Sequence, residues 1–97
     1  MTFAVLLGEQ PQRFLQETDE KTARIVRGNL RKLADEPYPR PGAGQGDREK
    51  LPVDGDVLYR LHIGRSYTAL YTIHDADSEV RVREILPIDD AHKRYGY

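Results

Sequence analysis

Arginine and histidine recur at every second position in parts of the C-terminal half of the chain. Arg60 and His62 lie two residues apart, and Arg81 and Arg83 repeat that spacing. In a β-strand this spacing places both side chains of a pair on one face. A guanidinium group offers a planar fork of donors to phosphate oxygens, and an imidazole titrates near neutral pH. The pattern suits a phosphodiester, and it is equally the ordinary pattern of a solvated strand face.

Cleavage of RNA by its own 2′-hydroxyl group requires a base, an acid and cations, and it requires no metal ion. His62 and His92 are candidate proton carriers, and the candidate phosphate ligands are Arg60, Arg65, Arg81, Arg83, Lys93 and Arg94. The three histidines lack metal-ligand spacing, and the glycine-rich run 42–46 lacks the Lys-Ser/Thr of a phosphate loop. We therefore expect neither a metal site nor a cofactor.

The composition limits the class of protein. A chain of 97 residues provides one modest core, so we expect a single domain over residues 1–97. The absence of cysteine excludes a disulfide framework and thiol catalysis. Lys and Arg total 15 against 16 Asp and Glu, so any basic surface requires the charges to be sorted onto one face. The longest apolar run, Phe3–Leu7, is too short to span a membrane, which favours a cytoplasmic protein.

Apolar periodicity predicts four strands and two helices before a polar tail. Thr2–Gly8 predicts a first strand, buried on both faces. Residues 10–17 predict a short helix, and Thr18 or Asp19 caps a longer one that ends before Pro37. The Pro- and Gly-rich stretch 37–56 predicts a long loop, and the tail 87–97 predicts a short helix or an irregular segment. The remaining predicted strands are Val57–Ile63, Tyr67–His74 and Val80–Leu86.

The resulting order, β-α-α-β-β-β, predicts an α+β fold. Two helices would pack on one face of a four-stranded, mainly antiparallel sheet. The residues expected beneath them are Val57, Tyr59, Leu61, Ala69, Tyr71, Ile73, Val80 and Val82. The other face would be left open, and it would present Arg60, His62, Thr68, Thr72, Arg81, Arg83 and Ile85.

Several local motifs resemble the RelE/ParE superfamily of toxin–antitoxin systems, over nearly the whole chain. The stretch Glu36-Pro37-Tyr38-Pro39-Arg40-Pro41, then Lys50-Leu51, then Leu58–Gly64 is similar to a run found in that family. Tyr67 and Tyr71 follow in register. The segment from Val82 to the tail His92-Lys93-Arg94-Tyr95 is similar to the family's final strand and its basic, tyrosine-containing end.

The resemblance implies a small toxin neutralised by a RelB-like antitoxin, in a possible hetero-oligomer. In the RelE branch the toxin enters the ribosomal A site and cuts mRNA without a metal. Carried over by position, Arg60 and His62 match two basic positions on the second strand, and Tyr95 matches the terminal tyrosine. Thr68 stands where the third strand of that family usually offers an arginine, and the neighbouring Arg65 is the candidate substitute. Ile88-Asp89-Asp90 stands where an arginine of the family follows the last strand.

The leading expectation is thus a ribosome-dependent mRNA endonuclease of the RelE type. Its catalytic candidates are Arg60, His62, Tyr95 and His92, and its RNA-binding candidates are Lys50, Arg65, Arg81, Arg83, Lys93 and Arg94. Two alternatives stay open because of the missing arginines. One is a ParE-like toxin that inhibits DNA gyrase, and the other is a catalytically weakened member that only binds its antitoxin.

Overall fold

The computed structural model describes residues 2–39, 48–51 and 57–95, except the side chains of His92, Arg94 and Tyr95. Its strands are β1 (Ala4–Leu7), β2 (Arg48–Leu51), β3 (Leu58–Ile63), β4 (Tyr67–His74) and β5 (Glu79–Pro87). Its α-helices are α1 (Glu9–Glu17), α2 (Glu20–Asp35) and α3 (Ile88–Tyr95). The strands form one sheet in the order β1-β5-β4-β3-β2, in which β1 runs parallel to β5 and the other pairs are antiparallel.

Helix α2 forms because a cap and an apolar stripe coincide. The carboxylate of Asp19 accepts a hydrogen bond from the Thr22 amide at 3.2 Å, and hydrogen bonding from Thr22 lowers the pKa of Asp19. The stripe packs on the sheet through Ala23, Val26, Leu30 and Leu33, all buried. No described helix is long and apolar enough to cross a membrane.

The main core lies between these helices and one face of the sheet. From the sheet it takes Leu61, Ile63, Ala69, Tyr71, Val80, Val82 and Ile85. The Tyr71 hydroxyl donates to the Pro37 carbonyl at 2.7 Å, so a central strand also anchors the chain that leaves α2. The two-helix layer on one face is therefore as predicted, although Val57 precedes β3 and is exposed.

The sheet has five strands rather than the predicted four, and the tail forms a third helix. Strand β2 lies inside the stretch 37–56 that was expected to be a loop, and residues 40–47 and 52–56 of that stretch lie outside the described residues. Strand β1 is not buried on both faces. It forms the sheet edge and exposes Ala4 and Leu6, whereas Val5 and Leu7 are half-buried.

A β-bulge in β5 changes which of its side chains share a face. Leu70 pairs with Glu84 and Tyr71 pairs with Val82, which leaves Arg83 as the extra residue. Because the bulge shifts the alternation by one, Ile85 joins the core instead of the opposite face, where the simple period of two had placed it. Glu84 and Leu86 follow on that opposite face.

The second face of the sheet is covered over β4, which corrects the expectation of an open surface. Thr68, Leu70 and Thr72 are all buried there. Helix α1 lies on the other face with the main core, where the Phe14 and Tyr67 rings meet edge to face at 5.2 Å. Helix α3 contacts β4 and β5 and buries Ala91 outside the main core, so we place α3 on the second face.

A tyrosine cluster ties the end of α2 to the turn between β4 and β5. The Tyr38 hydroxyl donates to the Asp75 carboxylate, which raises the pKa of Tyr38 to about 12. Its ring meets Tyr59 edge to face at 6.1 Å, and Tyr59 stacks on Tyr71 at 5.6 Å. The cluster thus connects an exposed loop to the central strand.

Replacing Leu70 with alanine tests the covered second face. Leu70 is 1% exposed, so Leu70→Ala should lower the free energy of unfolding by about 2–5 kcal/mol. The matched change Leu6→Ala, at a leucine that is 44% exposed, should cost less than about 1 kcal/mol. Urea unfolding of both variants measures the difference. Equal, small costs would mean that the face over β4 is open.

Replacing Tyr38 with phenylalanine tests the link to Asp75 through its pH dependence. The raised pKa means that folding favours the protonated phenol, so the stabilisation is complete below the unfolded value of about 10. It is lost as the pH rises from there through about 12. Wild type should exceed Tyr38→Phe in stability at pH 8, and the two should converge as the pH rises to about 12. A difference that stays constant over this range would contradict the link.

Candidate active site

Arg60 and His62, the two leading candidates, meet at one carboxylate on the second face of the sheet. The Arg60 Nη2 atom hydrogen-bonds and ion-pairs with Glu49 Oε2. The His62 Nε2 atom lies 3.9 Å from Glu49 Oε1. The side chains of Arg60, His62 and Glu49 are 10, 33 and 46% exposed, respectively. The guanidinium is therefore the deepest member of the group, and the carboxylate is the most accessible.

The strand register explains why these three groups converge. Glu49 on β2 is the direct partner of Arg60 on β3, and directly opposed residues point to the same face. His62 follows two residues later on β3 and also points to that face. Sequence reasoning missed Glu49, because the run Arg48-Glu49-Lys50-Leu51 carries little apolar alternation and lies between Pro- and Gly-rich segments.

Lys50 does not join this group. It is the direct partner of Tyr59, whose ring packs against the main core, so Lys50 lies on the helix side of the sheet. The prediction that Lys50 helps Arg60 hold a phosphate is wrong for this reason. The pleat separates neighbouring residues of β2, and Glu49 occupies the place beside Arg60.

The arginines of β5 lie apart from Arg60. Arg81 pairs with Glu79 at 3.0 Å and with Asp77 at 3.7 Å. Arg83 is exposed at the bulge and makes no ion pair with any described residue. Since β4 separates β5 from β3, these side chains start about 10 Å from the Arg60 strand. The open face that was to gather all the arginines is therefore divided into two separate groups.

The remaining candidates lie at the end of the sheet near α3. Arg65 is exposed in the turn between β3 and β4, and Lys93 is exposed on α3. The side chains of His92, Arg94 and Tyr95 lie outside the described part of the structure. The backbone of α3 contacts β4 and β5, and we place it on the same face of the sheet as Arg60 and His62.

The Glu49–Arg60–His62 group combines three useful chemical properties. The guanidinium can neutralise an oxyanion, the imidazole can carry a proton, and the carboxylate can stabilise the imidazolium form. The described residues contain no cluster of three or more potential metal ligands. The group thus has the donors and acceptors of an acid–base site for a phosphate ester.

Comparison with solved structures assigns the superfamily. No protein-family model and no curated protein matches the chain. Among solved structures, the archaeal RelE–RelB complex from Pyrococcus horikoshii OT3 contains a chain with 28% identity and a TM-score of 0.71, and the match covers 90% of this chain and 96% of that one. The chain belongs to the RelE-like toxin superfamily. This outcome confirms the resemblance drawn from the motifs.

Two further structures share the RelE-like fold at lower identity. The toxin–antitoxin complex RelBE2 from Mycobacterium tuberculosis matches with 16% identity and a TM-score of 0.66, over 90% of this chain and 92% of that one. The YoeB dimer from Staphylococcus aureus matches with 20% identity and a TM-score of 0.60, over 87% of this chain and 94% of that one. At these identities the likeness shows the fold alone.

This RelE-like chain departs from the expected arginines for structural reasons. Thr68 is 1% exposed, and its hydroxyl donates to the Leu61 carbonyl at 3.2 Å, so this position serves the sheet and has no room for a charged group. After β5, Asp89 and Asp90 occupy the first turn of α3, where the helix dipole favours carboxylates. The chain therefore places helix-starting residues where the resemblance implies a phosphate ligand.

Proposed function

We propose that this RelE-like protein is the toxin of a type II toxin–antitoxin system and acts as an endoribonuclease on mRNA in the ribosomal A site, in the cytoplasm and without a metal ion. The observation that carries the proposal is the convergence of Arg60 and His62 at Glu49 on one face of β3. Family membership supports the toxin assignment, and the paired guanidinium and imidazole support the chemistry.

The proposed reaction uses the RNA 2′-hydroxyl group as the nucleophile. The 2′-oxygen forms a bond to phosphorus and loses its proton to a base, the bond from phosphorus to the 5′-oxygen breaks, and an acid protonates that oxygen. Arg60 stabilises the additional negative charge on the phosphoryl oxygens. His62 carries one of the two protons, and Tyr95 and His92 are the candidates for the other. Glu49 stabilises the charged form of His62 when it holds a proton.

We propose that the partner is a RelB-like antitoxin, which docks at the β1 edge of the sheet. A groove of about 390 Å³ runs between β1 and α2, with Val5, Leu7, Leu30 and Ala34 as its apolar lining. Arg27 and Arg31 complete its lining, and neither makes an ion pair with a described residue. An acidic segment with alternating apolar residues matches this surface, in which the edge strand can accept a further strand.

A second candidate function is inhibition of DNA gyrase in the manner of ParE-like toxins. It is favoured by one observation, the buried Thr68 at a position where an RNA-cleaving relative would carry an arginine. Loss of one phosphate ligand costs about 10²–10³ in rate when that ligand stabilises the transition state. Supercoiling by gyrase in the presence of the purified protein, alongside an mRNA cleavage assay, distinguishes the two functions.

Replacing Arg60 with alanine tests the nuclease site. Arg60→Ala should lower the rate of mRNA cleavage on programmed ribosomes by about 10²–10³, because a charge-stabilising group is lost. Lys50→Ala is the matched control, since this substitution removes one positive charge from the other face of the sheet. Lys50→Ala should change the cleavage rate less than threefold. Primer extension on a reporter mRNA gives both rates. Intact mRNA with the wild-type protein would reject the nuclease function outright.

Reversing one charge on α2 tests the antitoxin groove. Arg31→Glu should weaken binding of the antitoxin encoded by the adjacent gene at least tenfold, because like charges would then face each other. Lys21→Glu makes the same change on the same helix outside the groove and should alter the affinity less than twofold. Isothermal titration calorimetry measures both. Equal effects would mean that the antitoxin contacts another surface.

A further inference from the structure

Glu49, the most accessible member of the candidate site, already forms an ion pair with Arg60, the proposed phosphate ligand. Arg60 is 10% exposed, and Glu49, at 46%, lies beside it at the edge of the sheet. A guanidinium binds carboxylate and phosphate oxygens with the same planar donors. A phosphoryl oxygen and Glu49 Oε2 cannot both accept from Arg60 Nη2 along the same direction.

We propose that Glu49 competes with the RNA phosphate for Arg60. The carboxylate occupies the guanidinium in the free protein until the substrate displaces it. This proposal rests on the proposed function, because it takes Arg60 as the phosphate ligand. The proposal adds a regulatory role for Glu49 on the neighbouring strand β2. In the free protein Glu49 neutralises Arg60, and in the RNA complex the guanidinium binds the phosphate.

The surroundings of Glu49 allow this exchange. Strand β2 is a four-residue edge strand of the described sheet, so among the described residues Glu49 has a paired strand on one side only. Its second carboxylate oxygen already lies 3.9 Å from His62 Nε2, and His62 is one-third exposed. The carboxylate can therefore leave Arg60 by side-chain rotation and remain beside the imidazole, without any movement of the sheet. After the exchange, Glu49 is the partner of His62, the proposed proton carrier.

If Glu49 competes with the phosphate, removing its charge should change the RNA affinity in the opposite direction from the removal of a purely structural ion pair. Removing the Glu49 charge should raise affinity for a phosphodiester, because the phosphate then no longer has to displace a carboxylate from Arg60. One unit charge at about 4 Å in water corresponds to a change of about fivefold in affinity. A Glu49 that merely supported the fold of the site would give lower affinity on removal.

The test measures binding to a short 2′-O-methyl RNA oligonucleotide, which cannot supply the attacking hydroxyl, by fluorescence anisotropy. Glu49→Gln should bind about fivefold more tightly than wild type. Glu79→Gln is the matched control, because it makes the same charge change on the same face beside Arg81. It should shift the affinity less than twofold.

A double variant locates the effect at Arg60. Arg60→Ala should bind more weakly than wild type, and adding Glu49→Gln to it should bring no further gain. The proposal is overturned if Glu49→Gln also raises the affinity in the Arg60→Ala background. It is overturned as well if Glu49→Gln alone does not raise the affinity. If Glu49→Gln unfolds, Glu49→Asp keeps the charge but withdraws the carboxylate by one methylene, and it should still bind more tightly than wild type.

The same measurements separate the two proposals. If Arg60→Ala binds the oligonucleotide as tightly as wild type, Arg60 is not the phosphate ligand, and both the proposed site and the competition fail. If Arg60→Ala binds weakly while Glu49→Gln shows no gain, the proposed site stands and only the competition is wrong. Cleavage activity is not needed for either conclusion.

Discussion

The burial of strand β4 on both faces is the constraint on which the rest of the structure depends. On one side Ala69 and Tyr71 belong to the main core, and on the other side Thr68, Leu70 and Thr72 are buried as well. A strand in this position must satisfy its polar side chains locally. Thr68 therefore donates to the Leu61 carbonyl, and the Thr72 hydroxyl lies 2.9 Å from His74 Nε2. These positions are consequently unavailable to ligands, and the candidate site residues Arg60, His62 and Glu49 lie on strands β3 and β2, to one side of β4.

The helix layer and most strand positions could be predicted because they follow from simple periodicity. The stripe of α2, the Asp19 cap and the alternation of β3 and β4 each bury an apolar set that has no other stable place. The bulge at Arg83 could not be predicted in this way, because a strict period of two assigns Val82 and Ile85 to opposite faces. Tertiary packing places both in the core, and the cost is one unpaired residue in the ladder.

The candidate site could be predicted only as far as one strand determines it. Arg60 and His62 share a face because they lie on the same strand, two residues apart, and the structure brings both to Glu49. The identity of the neighbour on β2 depends on a pairing register across an intervening stretch, which no local pattern specifies. That register decides between Glu49 and Lys50, and a shift of one residue would have placed a cation beside Arg60 instead of an anion.

The distribution of charge gives the two proposed surfaces different physical roles. On the sheet face, acidic residues neutralise two of the arginines, since Glu49 pairs with Arg60 and Glu79 with Arg81. On α2, Arg27 and Arg31 have no acidic partner among the described residues. Long-range attraction therefore favours encounter with an acidic segment at α2, whereas recognition of a phosphate depends on local exchange at Arg60. A chain with a net charge of −1 can thus still present a cationic surface, because its charges are sorted by face.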